Sequence, residues 1–146
     1  MITVRQLLQA KGYDIWSITP DASVYDALKL MADKEVGSLV VLDGEKLVGI
    51  ISERDYARKV ILKGKRSIDT SVKEIMVKEV FTVRPEQPIE ECMALMTDKR
   101  VRHLPVCGDE CLIGIVSIGD VVKAIISQQG FMIEQLERYI DGGWCY

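Results

Sequence analysis

A shift of 65 residues lays Ile15–Ser52 on Val80–Ser117 without a gap. Trp16-Ser17-Ile18-Thr19-Pro20 falls on Phe81-Thr82-Val83-Arg84-Pro85, and Leu30-Met31-Ala32-Asp33-Lys34 on Leu95-Met96-Thr97-Asp98-Lys99. Leu47-Val48-Gly49-Ile50-Ile51-Ser52-Glu53-Arg54-Asp55 falls on Leu112-Ile113-Gly114-Ile115-Val116-Ser117-Ile118-Gly119-Asp120. A duplication forces both halves into one local fold. The period is longer than a usual solenoid unit and there are two copies, so two packed half-domains fit better than an array.

Each copy has the same internal order. A short extended segment ends at Pro20 or Pro85. An amphipathic helix follows, with Val24, Ala27, Leu28 and Met31 on its apolar face in the first copy and Ile89, Cys92, Met93 and Met96 in the second. Ser23 is suited to cap the first of these helices. Two apolar runs come next, Ser38–Leu42 and Leu47–Ser52, joined at Asp43-Gly44-Glu45, a hairpin signal. The second copy has Leu104–Cys107 and Leu112–Ser117 around Gly108-Asp109-Glu110. A further helix is expected from near Asp55 or Asp120. The fold class is therefore α+β: two β-α-β-β-α half-domains related by pseudo-twofold symmetry. Neither half buries much surface alone, so they should pack on each other. The expected division is residues 1–65, 66–128 and a terminal helix and tail over 129–146, with Lys63–Thr70 as linker. Val72-Lys73-Glu74-Ile75-Met76 echoes Val4-Arg5-Gln6-Leu7-Leu8, about three residues out of the main register. Gln128–Asp141 reads as an amphipathic helix ended by Gly142-Gly143.

Composition narrows the function. The chain has 146 residues, 48% hydrophobic and 28% charged, enough apolar material for a core. A net charge of −3 disfavours nucleic acid as partner. No apolar run approaches the roughly 20 residues of a membrane span, and Met1-Ile2-Thr3-Val4-Arg5-Gln6 lacks the basic-then-apolar layout of a secretory signal. A soluble, cytoplasmic protein without a membrane partner is expected. The cysteines, Cys92, Cys107, Cys111 and Cys145, suggest no disulfide scaffold. His103, Cys107 and Cys111 recur every four residues, but Pro105 and Gly108-Asp109 break any helix that would bring them to one face, so no metal site is expected. Cys92 belongs on a core stripe. With one histidine and no nucleophile motif, Rossmann fingerprint or P-loop, catalytic residues are not expected and the chain does not read as an enzyme.

The duplicated unit, each copy ending in Gly-apolar-apolar-Ser-x-x-Asp, resembles a tandem pair of cystathionine-β-synthase (CBS) domains, a Bateman module, from Val4 to about Ser127. Ser52-Glu53-Arg54-Asp55-Tyr56-Ala57-Arg58-Lys59, Arg100-Val101-Arg102-His103-Leu104-Pro105-Val106 and Tyr139-Ile140-Asp141-Gly142-Gly143 are similar to stand-alone members. The resemblance implies an adenosine-containing regulatory ligand (AMP, ADP, ATP, S-adenosylmethionine or NAD(H)), no catalytic cofactor, a homodimer, and an effector whose conformation the ligand shifts.

The resemblance also implies two clefts. One combines Ser52, Arg54 and Asp55 with Val83, Val101, Arg102 and His103. The other combines Ser117, Gly119 and Asp120 with Ile18, Thr19, Gly37 and Ser38. The residues support a binding role on their own account. One carboxylate accepts hydrogen bonds from both ribose hydroxyls, which suits Asp55 and Asp120; their alternative role is to cap helices. Ser52 and Ser117 lie beside a helix start, where anions are favoured. Arg54 and Arg58 share a helical face beside Lys59 and suit phosphates; the copy places Gly119 and Lys123 there instead. The Ser52–Asp55 cleft is thus expected to be the stronger phosphate site. Arg102 and His103 fit either a phosphate contact or a solvated strand edge. Arg54–Arg66, with six basic residues and one acidic, reads as a solvated helix and linker more than a nucleic-acid face. The leading function is a regulatory nucleotide-binding module sensing energy or redox state through a partner or its oligomeric state. The alternative is a structural or interaction protein that binds no ligand.

Overall fold

The computed structural model describes residues 2–142, with side chains described through Arg138. Cys145 and the Trp144–Tyr146 tail lie outside the described residues. The first repeat contains β1 (Ser17–Ile18), α2 (Val24–Lys34), β2 (Ser38–Asp43), β3 (Lys46–Ser52) and α3 (Glu53–Tyr56), which runs on as a π-helical turn over Ala57–Ile61; α1 (Val4–Lys11) precedes it. The second contains α5 (Ile89–Lys99), β4 (His103–Cys107), β5 (Leu112–Ser117) and α6 (Ile118–Gly142), after the short α4 (Val72–Ile75).

Local chemistry sets these boundaries. The Ser23 hydroxyl accepts from the Asp26 N–H at 3.0 Å, opening α2 as expected. Helices α2 and α5 stop at Glu35 and Arg100, equivalent residues held left-handed at φ 55° and 56°. Gly44, at φ 65°, makes the turn between β2 and β3. Both hairpins are antiparallel, and their register slips at equivalent places, Val41/Leu42 and Val106/Cys107.

The sheets differ in one way that a single residue explains. In the first repeat β1 pairs parallel with β2, with the Val40 N–H donating to the Trp16 carbonyl at 3.3 Å. Pro105 occupies the place of Val40 and has no N–H to give. The second copy keeps only the Val83↔Val106 bridge, through Val83 N–H to the Pro105 carbonyl and Cys107 N–H to the Val83 carbonyl.

The two cores exchange their short helices. Val4, Leu7 and Leu8 of α1 are buried with Val83, Ile89, Cys92, Met96, Leu104, Val106, Val116 and Val121 of the second repeat. Val72 and Ile75 of α4 are buried with Val24, Ala27, Met31, Leu39, Val41, Ile51 and Val60 of the first. The backbone repeats the exchange. Val72 N–H donates to the Ala22 carbonyl and Val24 N–H to that of Thr70; Val4 N–H donates to Gln87 and Ile89 N–H to Ile2. Even the surface ion pairs are twinned, Lys73–Asp21 with Arg5–Glu86. Core membership thus crosses the chain-order boundary near residue 65. It explains the echo of Val4–Leu8 in Val72–Met76.

The helix expected after Asp120 and the one expected over Gln128–Asp141 are a single helix, α6. No proline interrupts it, and Gly130, the one glycine away from its ends, costs about 1 kcal/mol, too little to break it. The first copy turns out at Gly64, φ 70°.

Candidate functional site

Ser52 and Ser117 close the β-hairpins and open the following helices. The Ser52 backbone N–H and hydroxyl both donate to Asp55 Oδ2 at 3.0 Å, and the Asp55 N–H donates back to Ser52 Oγ at 3.3 Å. The Ser117 N–H donates to Asp120 Oδ2 at 2.8 Å, and the Asp120 N–H to Ser117 Oγ at 3.1 Å. Each Ser-x-x-Asp is a capping box in which the serine is the cap and the aspartate reaches back from the third helical position. The aspartates therefore do not themselves cap the helices. Backbone bonds from Glu53 N–H to the Gly37 carbonyl and from Ile118 N–H to that of Arg102 tie each helix start to the entry of its repeat's hairpin.

The first repeat's Ser52–Lys59 faces the second repeat's Arg100–His103 across a cleft of about 670 Å³. Ser52, Arg54, Asp55, Arg58, Lys59, Val101, Arg102 and His103 line it, together with Phe81, Glu53 and Glu79. Val83 does not: at 1% exposure it is a core residue behind the wall, held there by its backbone bonds to β4. Lys59 lies 3.3 Å from Asp55 Oδ1 and donates to the Ile75 carbonyl at 2.9 Å.

The second cleft, about 370 Å³, is lined by Ser117, Asp120, Gly37 and Ser38, and by Lys11, Asp14, Trp16, Glu35 and His103. Ile18, Thr19 and Gly119 are not among its walls; Ile18 packs against the first core instead. The sequence reading missed Lys11, whose ammonium donates to Asp120 Oδ2 at 2.6 Å and to the Ile115 carbonyl at 2.7 Å. The echo between α1 and α4 marks the two helices as equivalent, but which core each joins is set by the tertiary packing. Trp16 and Phe81 are equivalent residues, one in each cleft, with Lys34 4.4 Å and Lys99 5.3 Å from their ring centres.

His103 and Gly37 line both clefts. Burial lowers the His103 pKa, and the positive charges of Lys11 and Arg102 add to this against Asp120. Burial raises the Asp120 pKa, but the hydrogen bonds from Lys11 and Ser117 outweigh it and hold the carboxyl below its ordinary value. Burial pushes the Cys92 thiol up to about 11, in keeping with a core position.

Two half-domains that exchange short helices, each presenting a Ser-x-x-Asp capping box at a cleft walled in part by the other, are matched by a family model for the CBS domain at residues 4–62 and 72–127. The chain belongs to the CBS domain family. A mitochondrial CBS domain-containing protein of Arabidopsis thaliana, CBSX3, is 43% identical over 97% of this chain and 73% of its own. A solved CBS-domain structure from Burkholderia ambifaria is 51% identical, with a TM-score of 0.85 over 88% of this chain and 96% of that one. The CBS domain pair of protein MJ0100, solved with 5′-methylthioadenosine and S-adenosyl-L-methionine, shares the fold at a TM-score of 0.78 and 24% identity, over 88% of this chain and 98% of that one. In this CBS pair, no helix among the described residues is long and apolar enough to cross a membrane.

Proposed function

We propose that the chain is a regulatory adenosine-nucleotide-binding module, taking AMP, ADP, ATP or NAD(H), without catalytic activity of its own. The observation that carries this reading is the pair of capping boxes, each presenting an aspartate and a serine hydroxyl to a cleft walled by the other repeat. Asp55 or Asp120 accepts the ribose hydroxyls. Arg54, Arg58, Lys59 and Arg102 supply bidentate and ammonium contacts for phosphates in the larger cleft. A ligand spanning the repeats bridges two cores, so binding shifts their relative arrangement and passes to an effector protein or to the oligomer. The adenosine ligands of the MJ0100 pair support the ligand class.

The same reading holds the protein to be a cytoplasmic homodimer. Ile61 and Ile126, equivalent residues, are 55% and 62% exposed, an apolar pair on the helices that follow the capping boxes. Fractionation of the source cells tests the compartment against that of the mitochondrial relative. Mass spectrometry of small molecules released on denaturation, together with a thermal-shift panel, tests the function. An adenosine nucleotide that co-purifies and raises Tm is expected. No nucleotide and no shift favour the structural alternative.

A further inference from the structure

The two clefts are built from equivalent positions but carry opposite charge. The larger one is lined by five cations (Arg54, Arg58, Lys59, Arg100 and Arg102) against three carboxylates, Glu53, Asp55 and Glu79. The smaller is lined by one cation, Lys11, against Asp14, Glu35 and Asp120. The duplication shows how this arises. Arg54 corresponds to Gly119, Lys59 to Ala124 and Arg102 to Gly37, so three cations vanish. Arg100 corresponds to Glu35, so a fourth reverses sign on the same left-handed backbone. Arg58 corresponds to Lys123, which is not among the walls of the smaller cleft, and the cation that does line it, Lys11, is engaged with Asp120 and the Ile115 carbonyl.

A phosphate monoester carries close to two negative charges at neutral pH. In the larger cleft it meets guanidinium forks. In the smaller it meets Asp14 and Glu35, with Lys11 engaged by Asp120 and Lys34 drawn over the Trp16 ring, and like charges in a cleft reject such a ligand. What the smaller cleft retains suits a nucleoside. Trp16 offers a ring on which a base can stack in place of the Lys34 ammonium, and Asp120 offers Oδ1, for which no hydrogen-bond partner is found among the described residues.

We infer that the two clefts divide ligands by phosphate: the Ser52–Asp55 cleft takes the nucleotide, and the Ser117–Asp120 cleft takes a nucleoside without phosphates. The inference rests on the adenosine-ligand reading above and assigns a different ligand class to each cleft.

Trp16 makes the smaller cleft separately observable. Trp144 is the other indole of the chain, so Trp144→Phe leaves Trp16 as the sole reporter. Calorimetry and Trp16 fluorescence are followed with adenosine, AMP and ATP. ATP should release heat and leave Trp16 unchanged, whereas adenosine should change Trp16 emission with ATP already bound. Glu35→Arg, which copies Arg100, should improve the AMP affinity seen at Trp16 by about tenfold relative to adenosine. AMP or ATP displacing adenosine from Trp16 in the Trp144→Phe background overturns the inference and leaves the nucleotide function standing. Adenosine binding without any Trp16 response also overturns it. No heat from any of the three ligands overturns the proposed function itself.

Discussion

Lys11 Nζ lies 2.6 Å from Asp120 Oδ2, joining the end of α1 to the start of α6 across 109 residues of chain. The bond ties the exchanged N-terminal helix to the capping box of the smaller cleft. It has a measurable signature because Asp120 titrates below its ordinary value in the folded protein. A carboxyl with a depressed folded pKa contributes stability above its unfolded pKa, and loses it as pH falls through the folded value. Lys11→Met should destabilise the protein by about 1 kcal/mol at pH 7. Wild type and variant should keep that difference down to about pH 4 and converge below it. Urea melts over this range measure it; a pH-independent difference would assign the loss to packing.

His103 is shifted in the same direction for the opposite reason: its charged form is the one disfavoured. Its folded pKa is lowered by burial and by Lys11 and Arg102, so protonation favours the unfolded chain. The neutral ring contributes fully above the unfolded pKa of about 6.5, and that contribution is lost as pH falls through the folded value. The wild type should therefore lose stability as pH falls below about 6.5 in a way that His103→Gln does not. In Lys11→Met the titration, followed by NMR of the imidazole, should move up toward its ordinary position.

Asp55 has two roles that one substitution separates. As the reciprocal member of the capping box it satisfies the Ser52 N–H, so Asp55→Ala should cost about 1 kcal/mol of stability. As the ribose acceptor in the proposed function it should also lower AMP or ATP affinity at least tenfold by calorimetry. Asp55→Asn keeps an oxygen for the Ser52 N–H but loses the charge. Its stability should recover more than its affinity. Equal affinity in all three proteins would remove Asp55 from the site.

The exposed apolar pair on the two post-hairpin helices predicts association. Ile61→Asp together with Ile126→Asp should convert a homodimer to monomer by light scattering, with little change in the fold because both side chains are already more than half exposed. An unchanged mass would exclude this face from the interface.

The hairpins and the helices α2 and α5 were legible because their apolar spacing appears twice in register, and the copy corroborates each assignment. Ser52, Asp55, Ser117 and Asp120 were legible for the same reason: a duplicated polar position amid apolar runs stands out. What the sequence concealed depends on tertiary contact. Lys11 reaches Asp120 only because α1 joins the second core, and a helix of 8 residues carries no local mark of which sheet it will cover. Val83 looks like a cleft residue from its place in the repeat, yet its paired backbone turns it into the core. Pro105 was read only as a helix breaker, whereas its missing N–H also shortens the second sheet.

The helix exchange can be probed at two equivalent glycines. A β-carbon at Gly114 would stand 2.8 Å from Leu8 Cδ2, and one at Gly49 2.6 Å from Met76 Sδ and 3.0 Å from the Val77 carbonyl oxygen. Leu8 is fully buried, so Gly114→Ala forces α1 away from the second core. The flexible Met76 side chain can yield at Gly49, but the backbone carbonyl beside it cannot do so cheaply. Each substitution should cost roughly 1–3 kcal/mol. Their effects should differ in place: Gly114→Ala should increase amide exchange in α1, and Gly49→Ala in α4, each leaving the other helix protected. Gly114→Ala should also pull Lys11 away from Asp120 and so bring the Asp120 carboxyl back toward its ordinary pKa. An Asp120 titration unchanged in that variant would show that the Lys11 contact does not depend on how α1 is seated.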